Sequence, residues 1–371
     1  MTDSKKILVL TLSLEGGGAE RILSKVVRAS HSEFNIILVS FYRKGRFLDD
    51  LIKLPGLKYY SINAEKGNTL SFALRLRKII RSEKPGKILS FLYYPNIIAY
   101  LATLCMDLPL ILSERSNHRR YLTKSFKHRI WRFLLLHAYK KAQFVVTVSE
   151  DSRNSIIADF KTGSNKTITI HNGISFPEIE LLKNEPIEEL EIDPGLKYIL
   201  AVGSFNKAKN YDLLVDSFRI LKMKHDDLRL IILGEGELRE KIRSKVTLSG
   251  LSEYVYMPGY NNNPYKFMSV ATCYVLSSSW EGFPNALIEA MYVNGHIVST
   301  DCQTGPAEII TSGVDGLLCA VDDRDELASA LEKMCYDSAV RERVYANSRK
   351  TVTKFDDLLM IQKYRQLFTT I

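Results

Sequence analysis

The chain has 371 residues, 46% of them hydrophobic and 25% charged, a length and composition typical of a globular protein with two domains. Its apolar stretches are all shorter than the roughly 18 residues that a membrane-spanning helix requires. We recognise no signal peptide and no CxxC pair, and the five cysteines are scattered, so we expect a reducing compartment and no zinc site.

The charge is divided unevenly along the chain. Residues 1–175 hold 29 Lys and Arg against 13 Asp and Glu, a net charge of +16. Residues 176–371 hold 22 against 29, a net charge of −7. A half with such an excess of cations attracts phosphate groups, as in nucleic acids, anionic lipids or phosphorylated substrates.

The first half alternates short apolar runs with helical patterns. The runs predict strands at 5–14, 34–42, 87–92, 108–114 and 143–149, with a helix at 18–30 after the first. The runs are apolar on both faces, which is typical of a parallel sheet covered by helices on both sides.

A similar series fills the second half, after an acidic, proline-containing linker at 174–195. The predicted strands lie at 196–204, 228–237, 255–260, 271–279, 295–301 and 316–321, and an amphipathic helix ends the chain at 355–368. We therefore expect two doubly wound α/β domains, 1–175 and 176–353, with residues 354–371 packing back on the first.

A glycine-rich turn, "EGGGAER", follows the first predicted strand. Dinucleotide-binding turns have the spacing GxGxxG and an acidic residue after the second strand, whereas here Gly16, Gly17 and Gly18 are adjacent and the second strand ends in Tyr42 and Arg43. A nicotinamide site is therefore disfavoured. Two interpretations of the turn remain. It could be a helix N-terminus that binds another anion, or a tight turn without a ligand.

The segment "SSSWEGFPNALIEAM" (277–291) places two carboxylates eight positions apart. Pro284 suits the first turn of a helix starting near Phe283 or Pro284, so Glu281 would lie in the preceding loop and Glu289 a little over one turn in. Carboxylates accept from sugar hydroxyls, while helix N–H groups bind phosphate. Spacing alone also permits a surface helix with two solvated acids.

Two further loops are expected at the same edge of the second sheet. Lys207 and Lys209 follow its first strand, and Gly234 and Gly236 follow its second. Ligands of doubly wound sheets bind where such loops gather, and a lysine there neutralises a diphosphate. Each lysine could equally be a solvated helix start.

Taken together, the motifs of the chain resemble those of the retaining glycosyltransferases of family 4. The resemblance extends over nearly the whole chain. The matching motifs are "GGGAER" (16–21), "VSE" (148–150), "HNGI" (171–174), "VGSFNKAKN" (202–210), "GEGE" (234–237), "EGFPNALIEAM" (281–291), "GPAEII" (305–310) and "GVDGLL" (313–318). The two-glutamate signature is the most specific of them. The resemblance implies the GT-B fold, two facing Rossmann-like doubly wound domains with a cleft between them.

The resemblance also implies residue roles. Glu281 would contact the donor sugar, Glu289 the nucleotide ribose and Lys209 the diphosphate. Ser204 departs from the family, which commonly has arginine there, and we expect Lys207 or Arg21 to supply the missing cation. The remaining candidates for donor binding are Gly17, Gly18, Gly234, Glu235, Tyr260, Gly282, Phe283, Pro284, Asn285, Ala286 and Leu287.

The chemistry implied is transfer with retention, by attack on the face from which the diphosphate leaves. We expect no cofactor and no metal, because no DxD-like motif occurs and lysine with a helix N-terminus can stabilise the leaving group. The expected donor is a UDP-sugar, of N-acetylhexosamine type by resemblance to bacterial O-antigen, capsule and N-glycan enzymes. UDP and GDP are not distinguished by any residue.

The acceptor side is predicted in the basic half. The loop "SERSNHRR" makes Glu114, Arg115, Asn117, His118 and Arg21 candidates for acceptor binding. Residues 115–149 carry nine Lys and Arg and no acid, and Phe126, Ile130, Phe133 and Leu134 are spaced to face the core, leaving a basic, aromatic surface that includes Trp131 and Tyr121. Such a surface suits anionic lipid or a lipid diphosphate, although it could be merely solvated.

We therefore expect a polyprenyl-diphosphate-linked glycan as acceptor and a peripheral position on the cytoplasmic face of the inner membrane. Nucleic acid is not an expected partner, because no nucleic-acid-binding motif accompanies the charge. Two alternatives remain: a GT-B sugar-nucleotide epimerase, which needs no membrane-facing helix, and a non-catalytic relative that binds glycan. The intact Glu281, Glu289 and Lys209 argue against the second.

Overall fold

The structure is a computed structural model that describes residues 3–15, 17–63, 65, 67–115, 118–121 and 125–371. Its contacts divide the chain into two units, Met1–Gly173 with Leu358–Ile371, and Ile174–Asp357. The boundary expected after residue 175 differs from this division by two residues.

Among the described residues of the first unit, seven strands form one parallel sheet. They are β1 (Asp3–Thr11), β2 (Asn35–Ser40), β3 (Lys58–Ser61), β4 (Pro85–Phe91), β5 (Leu110–Ser113), β6 (Phe144–Thr147) and β7 (Thr167–Thr169). Their order is β3-β2-β1-β4-β5-β6-β7, so the direction of winding reverses between β1 and β4. The short strands β3 and β7 were not predicted from the sequence.

Helices connect these strands. They are α1 (Gly18–Ser30), α2 (Arg46–Leu51), α3 (Thr69–Glu83), α4 (Tyr93–Ala102), α5 (His118–Tyr121), α6 (Phe126–Lys141) and α7 (Glu150–Phe160). Successive residues of β1 enter different cores: Leu8 and Leu10 belong to one buried cluster, and Ile7 and Val9 to another. Both faces of the sheet are therefore covered, as the apolar runs predicted.

The described part of the second unit has a six-stranded parallel sheet of the same winding. Its strands are β8 (Lys197–Val202), β9 (Leu228–Leu233), β10 (Val255–Gly259), β11 (Cys273–Leu276), β12 (Ile297–Thr300) and β13 (Leu317–Cys319). They are arranged in the order β10-β9-β8-β11-β12-β13, with the reversal between β8 and β11.

The helices of this unit follow the same alternation. They are α8 (Phe176–Leu182), α9 (Tyr211–Lys222), α10 (Arg239–Leu248), α11 (Tyr265–Val270), α12 (Asn285–Val293), α13 (Pro306–Ile309), α14 (Arg324–Tyr336) and α15 (Ser338–Thr351). Short 3-10 helices occupy Lys207–Lys209 and Val352–Phe355. The segment interpreted as a linker thus contains a helix, α8.

The last helix, α16 (Asp357–Thr370), packs on the first unit. Met360, Tyr364 and Phe368 are buried in the cluster that covers one face of the first sheet. The ammonium of Lys87, on β4, donates to the carbonyl oxygens of Phe368 and Ile371, so the C-terminus is held by hydrogen bonds as well as by apolar contact.

Candidate functional site

Lys209 and Glu281 meet where the winding of the second sheet reverses. Lys209 ends the 3-10 helix that follows β8, and Glu281 lies in the loop that follows β11. Loops on either side of such a reversal leave the sheet toward opposite faces and open a crevice between them. The Nζ atom of Lys209 lies 2.7 Å from Oε1 of Glu281, and the side chains are only 18% and 13% exposed.

Hydrogen bonds fasten these two loops to each other. Ser277 Oγ donates to the Lys209 carbonyl at 2.8 Å, and the Ser279 N–H donates to the Ala208 carbonyl at 2.8 Å. Ser278 Oγ donates to Oε1 of Glu281 at 2.6 Å. The carboxylate is therefore held by a hydroxyl as well as by the ammonium, and its position is set before any ligand arrives.

A third loop supports Glu281 from the other side. The hydroxyl of Thr304 donates to the Glu281 carbonyl, and the backbone of Thr304 has a φ of 66°, which is unusual for a β-branched residue. Gly305 follows with a φ of 110°, and a Cβ there would lie 2.6 Å from Cδ of Pro284. The motif "GPAEII" thus begins with a glycine because the backbone at Gly305 has a positive φ and passes close to Pro284, in the loop after Glu281.

Helix α12 begins at Asn285 with Pro284 at its N-cap, one residue later than the sequence predicted. Phe283 and Pro284 are buried, whereas Gly282, Asn285 and Ala286 are half-buried. Proline has no side-chain group that could cap the helix, and Pro284 makes no side-chain cap hydrogen bond. The N-terminus of α12 is the anion-binding end of the helix dipole.

Glu289 lies on α12 and is 5% exposed. The hydroxyl of Tyr265 donates to its Oε1 at 3.4 Å. Beneath both glutamates lies Tyr274, a fully buried residue of β11 whose hydroxyl has no hydrogen-bond partner among the described residues. Burial raises the pKa of Tyr274, and Tyr211, Glu281 and Glu289 add to that effect through their charges.

The other candidates of this unit differ in accessibility. Ser204, Lys207, Glu235 and Tyr260 are exposed, and Leu287 is buried. Gly234, with a φ of 151°, allows two loops to touch: a Cβ there would lie 1.9 Å from the Gly203 carbonyl oxygen. The sequence predicted Gly234 as a donor contact, and the observed packing gives it a structural reason as well.

The glycine-rich turn of the first unit opens α1. Gly17 is its N-cap, and the Gly17 N–H donates to Oε2 of Glu20 at 2.9 Å. Ser13 Oγ donates to the other oxygen of Glu20 at 2.7 Å. A carboxylate of the chain therefore already occupies this N–H group, where the sequence predicted a ligand. Gly18 is the first helical residue, and Gly16 lies outside the described residues.

Family models match both units. Residues 16–176 match the model described as Glycosyltransferase Family 4, and residues 183–351 match the model described as Glycosyl transferases group 1. The chain belongs to the family 4 glycosyltransferases. Its membership and its transferase activity, both predicted from the motifs, are thereby confirmed.

Relatives cover almost the whole transferase. It is 28% identical, over 97% of its length and 98% of the relative's, to the N-acetylgalactosamine-N,N'-diacetylbacillosaminyl-diphospho-undecaprenol 4-alpha-N-acetylgalactosaminyltransferase of Campylobacter jejuni. It is 25% identical, over 95% and 94%, to a second Campylobacter jejuni enzyme, named as an alpha-1,4-N-acetyl-D-galactosaminyltransferase acting on a GalNAc-containing diNAcBac-PP-undecaprenol.

A solved structure shares the fold. The HepE protein of Anabaena, crystallised with UDP and glucose, superposes with a TM-score of 0.83 at 18% identity, over 99% of the transferase and 100% of that chain. This similarity and the two doubly wound sheets confirm the predicted GT-B fold class.

The acceptor candidates Glu114 and Arg115 are buried in the transferase. Glu114 Oε2 accepts from the Tyr139 hydroxyl at 2.9 Å. Arg115 donates to the Tyr364 hydroxyl of α16 at 3.1 Å and to Oδ1 of Asn172. These contacts give Arg115 a structural role in holding α16. Acceptor binding by either residue stays a prediction, as it does for the half-buried Arg21.

His118 is paired with a carboxylate. Its Nε2 lies 2.8 Å from Oδ2 of Asp159, and Arg119 binds both oxygens of the same carboxylate. Hydrogen bonds from Arg119 and His118 hold the pKa of Asp159 at about 2, whereas burial lowers the pKa of His118. Asn117 lies outside the described residues.

The sequence predicted the buried face of α6 wrongly for three of four residues. Phe126, Ile130 and Phe133 were expected in the core, but they are 77%, 45% and 60% exposed. The fourth, Leu134, is half-buried and packs against the core as expected. Trp131, expected on the surface, packs against Tyr93 and Tyr94 at ring-centroid distances of 5.6 and 5.7 Å. The reason is that α4 presents two tyrosines, and a tryptophan can stack on them while still reaching water.

The sequence did not predict the residues that surround Glu281, among them Ser278, Thr304 and Tyr274. The serine run "SSS" was a usable signal, because hydroxyls at a strand end next to a carboxylate suggest a hydrogen-bonded loop. Nothing in the sequence distinguished Tyr274 from an ordinary core residue.

Within the described residues, no helix is both long and apolar enough to cross a bilayer.

Proposed function

We propose that this transferase moves an N-acetylhexosamine from a UDP-sugar to a saccharide carried on polyprenyl diphosphate, in the assembly of a bacterial surface glycan. The Lys209–Glu281 pair at the reversal of the second sheet is the observation that carries the proposal. The two Campylobacter relatives, whose names specify undecaprenol-diphosphate acceptors and N-acetylgalactosaminyl transfer, support the choice of substrates.

The second unit offers complementary groups for each part of such a donor. The Lys209 ammonium suits the diphosphate, and the dipole of α12, whose N-terminus follows the Glu281 loop, adds positive potential. Glu281 suits the hydroxyls of the transferred sugar, and Glu289 the ribose. When the donor enters, Lys209 exchanges a carboxylate partner for a phosphate, so the cation moves to where negative charge develops.

Retention of configuration is proposed together with this donor geometry. The acceptor hydroxyl attacks the anomeric carbon on the face from which the diphosphate departs, and a phosphate oxygen of the leaving group takes the hydroxyl proton. This route requires positioning of the acceptor more than a strong base. We propose that no divalent metal takes part, since Lys209 and the dipole of α12 supply positive charge.

The first unit is proposed to bind the acceptor at the cytoplasmic face of the inner membrane. Residues 1–175, which include nearly all of this unit, carry a net charge of +16, and such a charge attracts anionic headgroups. Exposed Phe126, Ile130 and Phe133 lie on α6 among Lys127, Arg129 and Arg132, and no acid occurs on this helix. Apolar side chains interspersed with cations are the pattern of an interfacial helix.

A nucleotide-release assay tests the proposal. The purified protein is incubated with UDP-HexNAc, UDP-hexose or GDP-hexose and an undecaprenyl-diphosphate saccharide, with EDTA in a parallel series. We expect release of UDP that depends on the acceptor and persists in EDTA, and an α-linked product from an α-linked donor by NMR. Absence of release with every donor would refute the transfer, and loss of activity in EDTA would refute metal independence.

A further inference from the structure

A cavity lined by aromatic rings lies in the first unit, where the winding of its sheet reverses. Its volume is about 400 Å³, and we call it the aromatic pocket; its walls include Leu12, Phe41, Phe72, Tyr93, Tyr94 and Trp131. Leu12 follows β1 and Tyr93 follows β4, the two strands between which the order reverses. Ligands of doubly wound sheets bind at this position.

The rings form a continuous wall. Phe41 lies between Phe72 and Tyr94, with centroid distances of 5.8 and 5.6 Å, and Tyr94 continues to Trp131. The side of the pocket at Leu92 has a backbone with φ 79° and ψ 152°, a region that glycine normally occupies. Such a conformation persists only where the surrounding structure holds it, and it brings an aliphatic side chain to the pocket.

The lining is mainly aromatic and aliphatic, and no acidic residue contributes to it. Its polar groups are the Thr69 hydroxyl, the Lys127 ammonium, the hydroxyls of three tyrosines and the indole N–H of Trp131. The hydroxyls of Thr69 and Tyr94 lie 3.2 Å apart and bond to each other. Ring faces and aliphatic side chains make up the rest of the lining and suit a hydrocarbon chain, which needs no hydrogen bonds.

The rim of the pocket combines apolar and cationic side chains. Leu70, beside Thr69 on α3, is 66% exposed, and Phe126, beside Lys127 on α6, is 77% exposed. The Lys127 ammonium lies 4.6 Å from the centre of the Trp131 ring, and no carboxylate pairs with it in the described part of the chain. An apolar pocket with a cation at its mouth complements a ligand that has a hydrocarbon chain and an anionic head.

We propose that the aromatic pocket binds the first isoprene units of the acceptor's lipid carrier, with Lys127 at the diphosphate. This inference rests on the proposed function, because it assigns a place to part of the acceptor named there. The branched, unsaturated chain fits between the rings, and the exposed Leu70 and Phe126 at the rim continue the apolar surface toward the bilayer. Binding the chain here would recognise the carrier independently of its sugars.

Fluorescence of Trp131 gives a direct test. The chain has two tryptophans, so Trp280→Phe leaves Trp131 as the only one. We expect farnesyl diphosphate to change the Trp131 emission saturably, while inorganic diphosphate and the carrier-free saccharide do not. No change with farnesyl diphosphate would overturn the proposal. An equal change with inorganic diphosphate would also overturn it, since the site would then recognise phosphate alone.

Kinetics provide a second readout that does not depend on the fluorescence variant. We expect Trp131→Ala and Lys127→Ala each to raise KM for the undecaprenyl-linked acceptor by roughly tenfold and to leave KM for the UDP-sugar unchanged. Lys140→Ala removes another exposed cation of the same helix and should change neither constant. An unchanged acceptor KM in Lys127→Ala, whose exposed side chain is not needed for folding, would contradict the role of Lys127.

The two proposals can fail separately. Nucleotide release with the lipid-linked acceptor but no response of Trp131 to farnesyl diphosphate would leave the transfer standing and remove the isoprenoid site. A saturable response of Trp131 without nucleotide release from any donor would keep the isoprenoid site and remove the transfer.

Discussion

The Lys209 ammonium and the Glu281 carboxylate form an ion pair 2.7 Å long. Seventy-two positions separate them in the chain, and they meet because the loops after β8 and β11 adjoin at the reversal of the second sheet. Each of the two charges is compensated by the other. In the proposed function the pair opens when the donor binds, so both residues should affect the same step.

Removing the charge of either Lys209 or Glu281 should strongly reduce the rate of transfer. We expect Lys209→Ala and Glu281→Gln to lower kcat by about 10²–10³-fold, the effect of deleting one stabilising group in an active site. Circular dichroism should show that both variants are folded. Lys224→Ala, which breaks the exposed pair with Glu332 in the same unit, is the matched control and should retain full activity. Near-normal kcat in Glu281→Gln would refute the role assigned to that residue.

A bulky side chain in the glycine-rich turn should separate transfer from nucleotide binding. Gly17 has a φ of −68°, and a Cβ there would meet only the Glu20 carboxylate, at 3.6 Å, so Gly17→Val should fold. We expect a large loss of transfer with little change in the dissociation constant for UDP, measured by calorimetry. An equal loss of both would show that the turn serves the nucleotide.

Two glycines of the second unit should respond differently to alanine. Gly250→Ala places a Cβ in open space at a φ of 71°, which should cost about 1–2 kcal/mol of unfolding free energy. Gly234→Ala drives a Cβ against the Gly203 carbonyl oxygen, so we expect a loss on the order of 3–4 kcal/mol. Urea unfolding measures both. Equal losses would contradict the close packing of the loops after β8 and β9.

Polar substitution of the exposed face of α6 should weaken membrane binding without unfolding the protein. Phe126→Ser combined with Phe133→Ser removes two exposed rings, and we expect sedimentation with phosphatidylglycerol vesicles to fall several-fold. Met223→Ser combined with Leu248→Ser, at 85% and 89% exposure in the second unit, is the matched control. Unchanged sedimentation of the α6 variant would exclude this face as the membrane contact.

Acid should destabilise the first unit through His118. Because its folded pKa is lowered by burial, the unfolded chain takes up a proton near pH 6.5 that the folded chain does not. The unfolding free energy should therefore decrease as the pH falls below about 6.5, and His118→Gln should reduce that decrease. Urea unfolding at pH 7.5 and 5 measures the decrease in unfolding free energy. An equal decrease for wild type and His118→Gln would contradict the role of His118 in this pH dependence.

The fold class could be predicted from the chain alone. Apolar runs of strand length imply parallel sheets, and the family motifs imply the GT-B arrangement. The motif "EGFPNALIEAM" makes Glu281 and Glu289 candidates for donor binding because a loop and the helix after it are local in sequence, and that role stays a prediction. The strands β3 and β7 were missed because three or four residues carry too little periodic signal.

The tertiary structure decided which residues surround these groups. Thr304 bonds to the Glu281 backbone, and Tyr274 lies near both glutamates, although the sequences around these two residues give no sign of that proximity. Likewise, the face of α6 was predicted wrongly because helical spacing defines a stripe but not the neighbour that covers it.

The alternation of strands and helices, the unequal charge of the two halves and the family motifs can be read from the amino-acid sequence, because each is carried by local pattern or composition. The contact of Trp131 with two tyrosines, the exposure of Phe126 and the pairing of Lys209 with Glu281 became apparent from the folded structure. Those outcomes depend on the packing of elements distant in the chain, which local pattern does not encode.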